Sequence, residues 1–246
     1  MAYRPYVRNT SSGSGTTGLT VSHTINGFAD RLLLAFVYVE GNTGVPAISG
    51  VTYNGSAMTL VTSSAITGTY IRIAIYYMLQ ASLPSAGAYN IIVTASGGGG
   101  VYTCIGGGLC FSNVDQSAPF GTAGTASGTS TGPTKSIGSA VDDIVCSIVG
   151  VDNSNTSATC DASQTSVFSV TRSAFDRAAA SYESAAGAST TSSYTLGTSQ
   201  PWLISGVAVK GKLVADAGGM FAWWYELLEQ LNNFVRKLNP PAGLEF

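Results

Sequence analysis

The run RLLLAFVYVE, from Arg31 to Glu40, is apolar at successive positions rather than at alternate ones. A strand with one wet face alternates, so this run requires cover on both faces and demands a central strand in a layered β-structure. Gly41-Asn42-Thr43-Gly44 then supplies the punctuation that ends it. The segment before it behaves differently: Leu19, Val21, His23 and Ile25 alternate with Thr20, Ser22 and Thr24, the signature of a half-buried strand. His23 lies on the apolar face of that alternation, with no second ligand or nucleophile beside it in sequence, and reads as a satisfied, half-buried histidine.

Further strand signals recur along the chain. Asn54-Gly55 sits between Val51-Thr52-Tyr53 and Ser56-Ala57-Met58-Thr59-Leu60. That dipeptide suits a type I′ hairpin, which needs positive φ at both central positions. Strands follow at Tyr70 to Leu79, Gly87 to Ala95, Val101 to Phe111, Asp142 to Asp152, Thr165 to Val170, Ala178 to Glu183, Thr191 to Leu196 and Trp202 to Lys210. Residues 112 to 139, dominated by Ser, Thr, Gly, Ala and Pro, read as a long loop with one short strand. The expected fold is all-β, an antiparallel β-sandwich of jelly-roll-like type with about ten strands. Three segments are expected: residues 1–18 as an N-terminal arm or linker, 19–212 as the β-sandwich, and 213–246 as a hinge and C-terminal amphipathic helix. The arm, rich in Ser and Gly, has too little apolar surface to fold unless a neighbour pins it.

The helix is read from Met220 to Leu238. Phe221, Trp224, Leu228, Leu231, Val235 and Leu238 recur at spacings of three, four, three, four and three, one seam of a coiled-coil heptad. Glu226 and Glu229 fall early, Arg236 and Lys237 in the last turn, as the helix dipole prefers, and Asn239-Pro240-Pro241 ends it. A rod of roughly 28 Å is marginal alone in water and needs a partner surface. The seam points to another copy, to the chain's own sandwich or to another protein. Self-association as a homo-oligomer, with a trimer favoured, is the expected use, and membrane association is not expected because the polar face carries few basic groups.

Only 10% of the residues are charged and the net charge is −2. Without a basic stripe, nucleic acid is excluded as an expected partner. Met1 to Tyr6 lack the apolar stretch of a secretory signal, so synthesis in the cytoplasm is expected. Cys104, Cys110, Cys146 and Cys160 have no C-x-x-C spacing and there is one histidine, so no zinc site and no cofactor is expected. The cysteines read as buried free thiols, a Cys104–Cys110 disulfide being the alternative.

The glycine runs 97–100 and 106–108 lack the following helix and lysine that a phosphate cradle needs, and read as a bulge or a close backbone approach. Asp142, Asp143, Asp152 and Asp161 do not follow the ligand rhythm of a calcium loop and suit turns. No nucleophile elbow or histidine-paired nucleophile can be named, so no catalytic residue is expected. Tyr70, Tyr102, Phe120 and Trp202 are the aromatics that a carbohydrate-binding surface would use.

The stretch Arg31–Glu40, the segment Val51–Leu60, Ile75-Tyr76-Tyr77-Met78-Leu79, Gly87–Val93, Phe111-Ser112-Asn113-Val114 and the strand Trp202–Lys210 together resemble a β-sandwich module of tailed-bacteriophage structural proteins and related bacterial surface proteins. The resemblance covers about residues 19 to 210. It implies a virion or surface structural role with no catalytic residues. The expected function is a non-enzymatic component of a phage-like particle, a head decoration, spike or fibre element contacting itself and other virion proteins. A carbohydrate- or receptor-binding module is the alternative.

Overall fold

The structure, a computed structural model, describes residues 4–152, 156–172 and 176–212, and for Val101 and Tyr102 the backbone alone. Residues 2–212 cluster as one compact unit. The expected C-terminal helix lies outside the described residues.

Seventeen strands and no helix are found among the described residues. The first nine are β1 (Tyr6–Gly15), β2 (Gly18–Ile25), β3 (Leu32–Gly41), β4 (Ala47–Tyr53), β5 (Ser56–Ala57), β6 (Thr59–Ile66), β7 (Ile71–Leu79), β8 (Gly87–Ser96) and β9 (Val101–Ser112). The other eight are β10 (Gly124–Ser130), β11 (Thr134–Gly138), β12 (Ile144–Asp152), β13 (Ala158–Cys160), β14 (Thr165–Arg172), β15 (Asp176–Ser184), β16 (Ser189–Leu196) and β17 (Gln200–Val209). All pairings are antiparallel.

The sheets are β1-β9-β3-β7-β6, β2-β8-β4-β5, β10-β17-β12-β15-β14 and β11-β16-β13. In the first half the pairs are nested: β1 with β9, β2 with β8, β3 with β7 and β4 with β5. The second half repeats this order strand for strand, β10 standing for β1 and β17 for β9, with no counterpart of β5. Aligning Leu32 with Ile144 places Glu40 on Asp152, Arg72 on Arg177 and Tyr77 on Tyr182. The expected single sandwich of about ten strands is therefore two sandwiches of the same topology.

The two five-stranded sheets face each other across one apolar layer, which contains Leu34, Phe36 and Ile75 from the first half and Ile148, Ala180 and Val207 from the second. Their outer faces are covered in turn: Val37, Tyr53 and Val93 pack within the first half, Val149, Tyr194 and Ile204 within the second. Four sheets are thus stacked. This explains why β3 and β12 are buried at every position up to Glu40 and Asp152 while β2 alternates buried with exposed. The halves meet with pseudo-two-fold symmetry, β1 lying over β14 and β6 over β10. That symmetry breaks where it must: the Tyr38 ring fills the space left by its counterpart Gly150, whose added Cβ would lie 2.7 Å from Tyr38 Cδ2.

Residues 6–15, expected as arm or linker, form β1, paired with Cys104–Ser112 of β9 with one register shift between Val7 and Asn9. From Asn9 onward its side chains are small and polar and give no apolar signal, and main-chain pairing holds them. The expected loop 112–139 likewise contains two strands, β10 and β11, built from Ser, Thr and Gly. Asn54 and Gly55 take φ of 50° and 78°, the expected hairpin turn. Gly106–Gly108 lie in unbroken register, and the close-approach reading holds over a bulge: a Cβ on Gly106 would lie 2.4 Å from Phe36 O, and one on Gly107 2.0 Å from Ser11 O.

Candidate functional site

The seam residues Phe221, Trp224, Leu228, Leu231, Val235 and Leu238 lie outside the described residues. Among the described residues, the chemically distinctive place is where equivalent strands of the two halves end. Glu40 closes the apolar part of β3, Asp152 closes β12, and Asp176 opens β15 directly opposite Asp152. Oxygens of these three carboxylates lie within 4.8 Å of one another. They line a cavity of about 810 Å³ together with Thr16, Asn42, Tyr70, Thr103 and Arg172.

Asp176 is 2% exposed. Burial pushes its carboxyl up to about 6, while a hydrogen bond from Tyr38 pulls the other way. The Tyr38 hydroxyl lies 3.4 Å from both Asp176 Oδ1 and the Val151 carbonyl, and the Thr103 hydroxyl donates to Asp176 Oδ2. Burial also raises Asp152, and it raises the Tyr38 phenol well above its ordinary value, keeping it a donor at neutral pH. Tyr70 sits at φ 57°, in a turn whose carbonyl accepts the Gly41 N–H at 3.0 Å. Held in this left-handed conformation, the residue stays 36% exposed on the cavity wall.

Oxygen-only donors of this kind suit a hard cation such as calcium, and Glu40, Asp152 and Asp176 are the residues that could hold one. The same carboxylates, with Tyr70 beside them, also suit the hydroxyls and ring faces of a saccharide.

The remaining sequence candidates fall elsewhere. Phe120 packs edge-on to Tyr77 at 4.9 Å. Trp202 is 7% exposed and donates from Nε1 to Ser130 Oγ at 3.0 Å, so both are packing residues. The Tyr102 side chain lies outside the described set. Of the four aspartates weighed as a calcium loop, Asp152 alone joins the cluster. Asp142 takes a turn conformation at φ 72°, Asp143 accepts the Ala140 N–H at 2.8 Å, and Asp161 accepts the Ser163 N–H at 3.2 Å. All four cysteines are free, with Cys104 and Cys110 in the same core.

Glu40 and Asp176 are absent from the sequence-derived candidates. One signal was available, since the apolar runs that become β3 and β12 each end on a carboxylate. His23 also gains a neighbour that its sequence context did not show: Ser11 Oγ lies 2.9 Å from Nδ1, delivered by β1. The pair is sealed between sheets, with His23 1% exposed, and acts as packing.

No protein-family model matches the chain, and no curated protein matches it. Among the described residues no helix is long and apolar enough to cross a membrane.

Proposed function

We propose that the protein is a non-enzymatic structural and assembly component of a phage-like particle, a decoration, spike or fibre element. The observation that carries this reading is the state of the two outer sheets. Lys135 is the one Asp, Glu, Lys or Arg in all the strands of β2-β8-β4-β5 and β11-β16-β13. Their outward positions are neutral and mostly small, among them Thr20, Ser22, Thr24, Thr134, Ser136 and Thr191, with Ile92 an exposed apolar residue in their midst. Such faces pack against neighbours without stripping water from charges, and charge depletion marks the centres of protein interfaces. The nested strand order of both halves fits the jelly roll, an architecture used in capsids and lectins. In this reading the segment 213–246 supplies a self-associating helix, a trimer being favoured, and the protein resides in the virion.

Light scattering on the whole chain and on a version ending at Lys212 tests the assembly role. A closed oligomer that becomes smaller on truncation is expected. Equal monomeric masses would sink it.

A second reading, carbohydrate or receptor binding, is favoured by one observation: the cavity places Tyr70 beside Glu40, Asp152 and Asp176. Its size lies in the range of ligand sites. Glycan-array screening of the whole chain should then give a ligand whose affinity falls about tenfold in Tyr70→Ala, worth ~1.4 kcal/mol. An unchanged affinity in the variant removes the cavity from consideration.

A further inference from the structure

The two five-stranded sheets have four edges: β1, β6, β10 and β14. Edge strands expose unpaired N–H and C=O groups, and proteins blunt them with bulges, charges or proline. Three of these four are blunted. The register of β6 on β7 shifts between Leu60 and Thr62, and that of β14 on β15 between Ser166 and Phe168. β1 shifts between Val7 and Asn9, where Arg8 lies over the Phe28 ring at 3.8 Å.

β10 has none of these devices. Gly124 to Ser130 pair with Gly206 to Gln200 in unbroken register. The strand reads GTASGTS, and no residue from Gln116 to Thr134 is charged. Among the described residues, the backbone of β10 makes no hydrogen bond outside its pairing with β17. The edges of the outer sheets are dealt with otherwise. β5 and β13 are two and three residues long, β11 carries Lys135, and β2 is capped at the Thr24 carbonyl by Asn9 Nδ2 at 3.0 Å.

We propose that β10 joins two copies of this chain, antiparallel, β10 to β10, so that one sheet of the dimer runs continuously through both. The strand's own sequence argues for a second copy as the occupant. Centred on Ser127, the self-pairing sets Gly124 against Ser130, Ala126 against Gly128 and Thr125 against Thr129. Small residues meet small ones, and threonine meets threonine, a favourable cross-strand pair. No like charges face each other. Thr125, Ser127 and Thr129 are exposed and share one face. This inference rests on the assembly reading and adds a two-fold contact to whatever the C-terminal segment contributes.

The test uses the geometry of the pairing on the whole chain. In T125K/T129K, lysine faces lysine twice across the two-fold; in T125K/T129E, each lysine faces a glutamate. Light scattering is expected to show the first variant with a mass reduced about twofold from the unsubstituted chain and the second with its mass restored. Circular dichroism of both variants checks that the strands remain. Ser127→Cys places two thiols across the two-fold and is expected to give a covalent dimer under mild oxidation. An oligomer whose mass T125K/T129K leaves unchanged, or a Ser127→Cys chain that does not crosslink, overturns the β10 contact and leaves the assembly reading standing. A whole chain that is monomeric overturns both.

Discussion

Phe36→Ala is expected to lower the stability of the protein by about 3–5 kcal/mol, the usual cost of emptying a large buried aromatic site. Phe36 is 1% exposed, and its ring meets that of Phe168 edge-on at 6.4 Å. The first ring belongs to β3 and the second to β14, so the cavity opens in the layer shared by the two halves. For that reason the loss should appear in both halves at once. Urea unfolding followed by circular dichroism should give a single transition, displaced to lower denaturant with its slope kept. Two separated transitions in the variant would show that each half is stable on its own and that the shared layer is dispensable.

Acidification should destabilise the protein through His23. Burial lowers this imidazole to about 4 in the folded chain, against 6.5 for the free side chain. Ser11 Oγ accepts the Gly108 N–H at 3.2 Å and is free to donate to Nδ1. The ring proton then sits on Nε2, which has no partner among the described residues. A second proton would place a charge between the sheets. The unfolded chain therefore binds the proton first: the stabilisation is complete above pH 6.5 and is lost as the pH falls towards 4, by on the order of 3 kcal/mol. Asp176 works in the opposite sense, because its raised carboxyl makes the folded chain the better proton acceptor as the pH falls through about 6. His23→Gln should remove the acid-side loss and leave the rising contribution of Asp176. Parallel stability curves for the two proteins between pH 7 and 4 would refute the assignment.

The strands with apolar side chains were legible in the sequence because burial writes itself into them. β3, β7, β8, β12 and β17 carry either continuous or alternating apolar residues, and each lies close to its expected position. β1, β10 and β11 left almost no such trace. Their Ser, Thr and Gly residues are held by main-chain hydrogen bonds, and a hydrogen-bonded ladder has no sequence of its own. Missing them concealed the repeat, since β1 and β10 are the strands that open each half. Seen without them, the chain looked like one sandwich entered through an arm.

The carboxylate cluster was harder to see for a different reason. Asp152 and Asp176 face each other across the β12–β15 ladder, and Glu40, from the other half, joins them through the pseudo-two-fold packing. An aspartate at a strand end looks the same whether it caps a turn, as Asp143 and Asp161 do, or lines a cavity. Tyr70 is a candidate from its aromatic type alone, and its place on the cavity wall, at a left-handed turn position, follows from the tertiary structure.

The nested order of pairs has a consequence for the chain as it leaves the ribosome. Each five- or four-stranded sheet of the first half is completed by β9, and no strand of the second half is hydrogen-bonded into it. Once Ser112 has emerged, the first half can close all its ladders while β10 to β17 are still unmade. At that moment the face bearing Leu34, Phe36 and Ile75 has no cover, and it stays bare until roughly a hundred further residues have been synthesised, on the order of ten seconds at ordinary elongation rates. The nascent protein thus passes through an interval with a ready apolar sheet and no partner for it, during which a neighbouring nascent chain on the same message could take the place of the missing half.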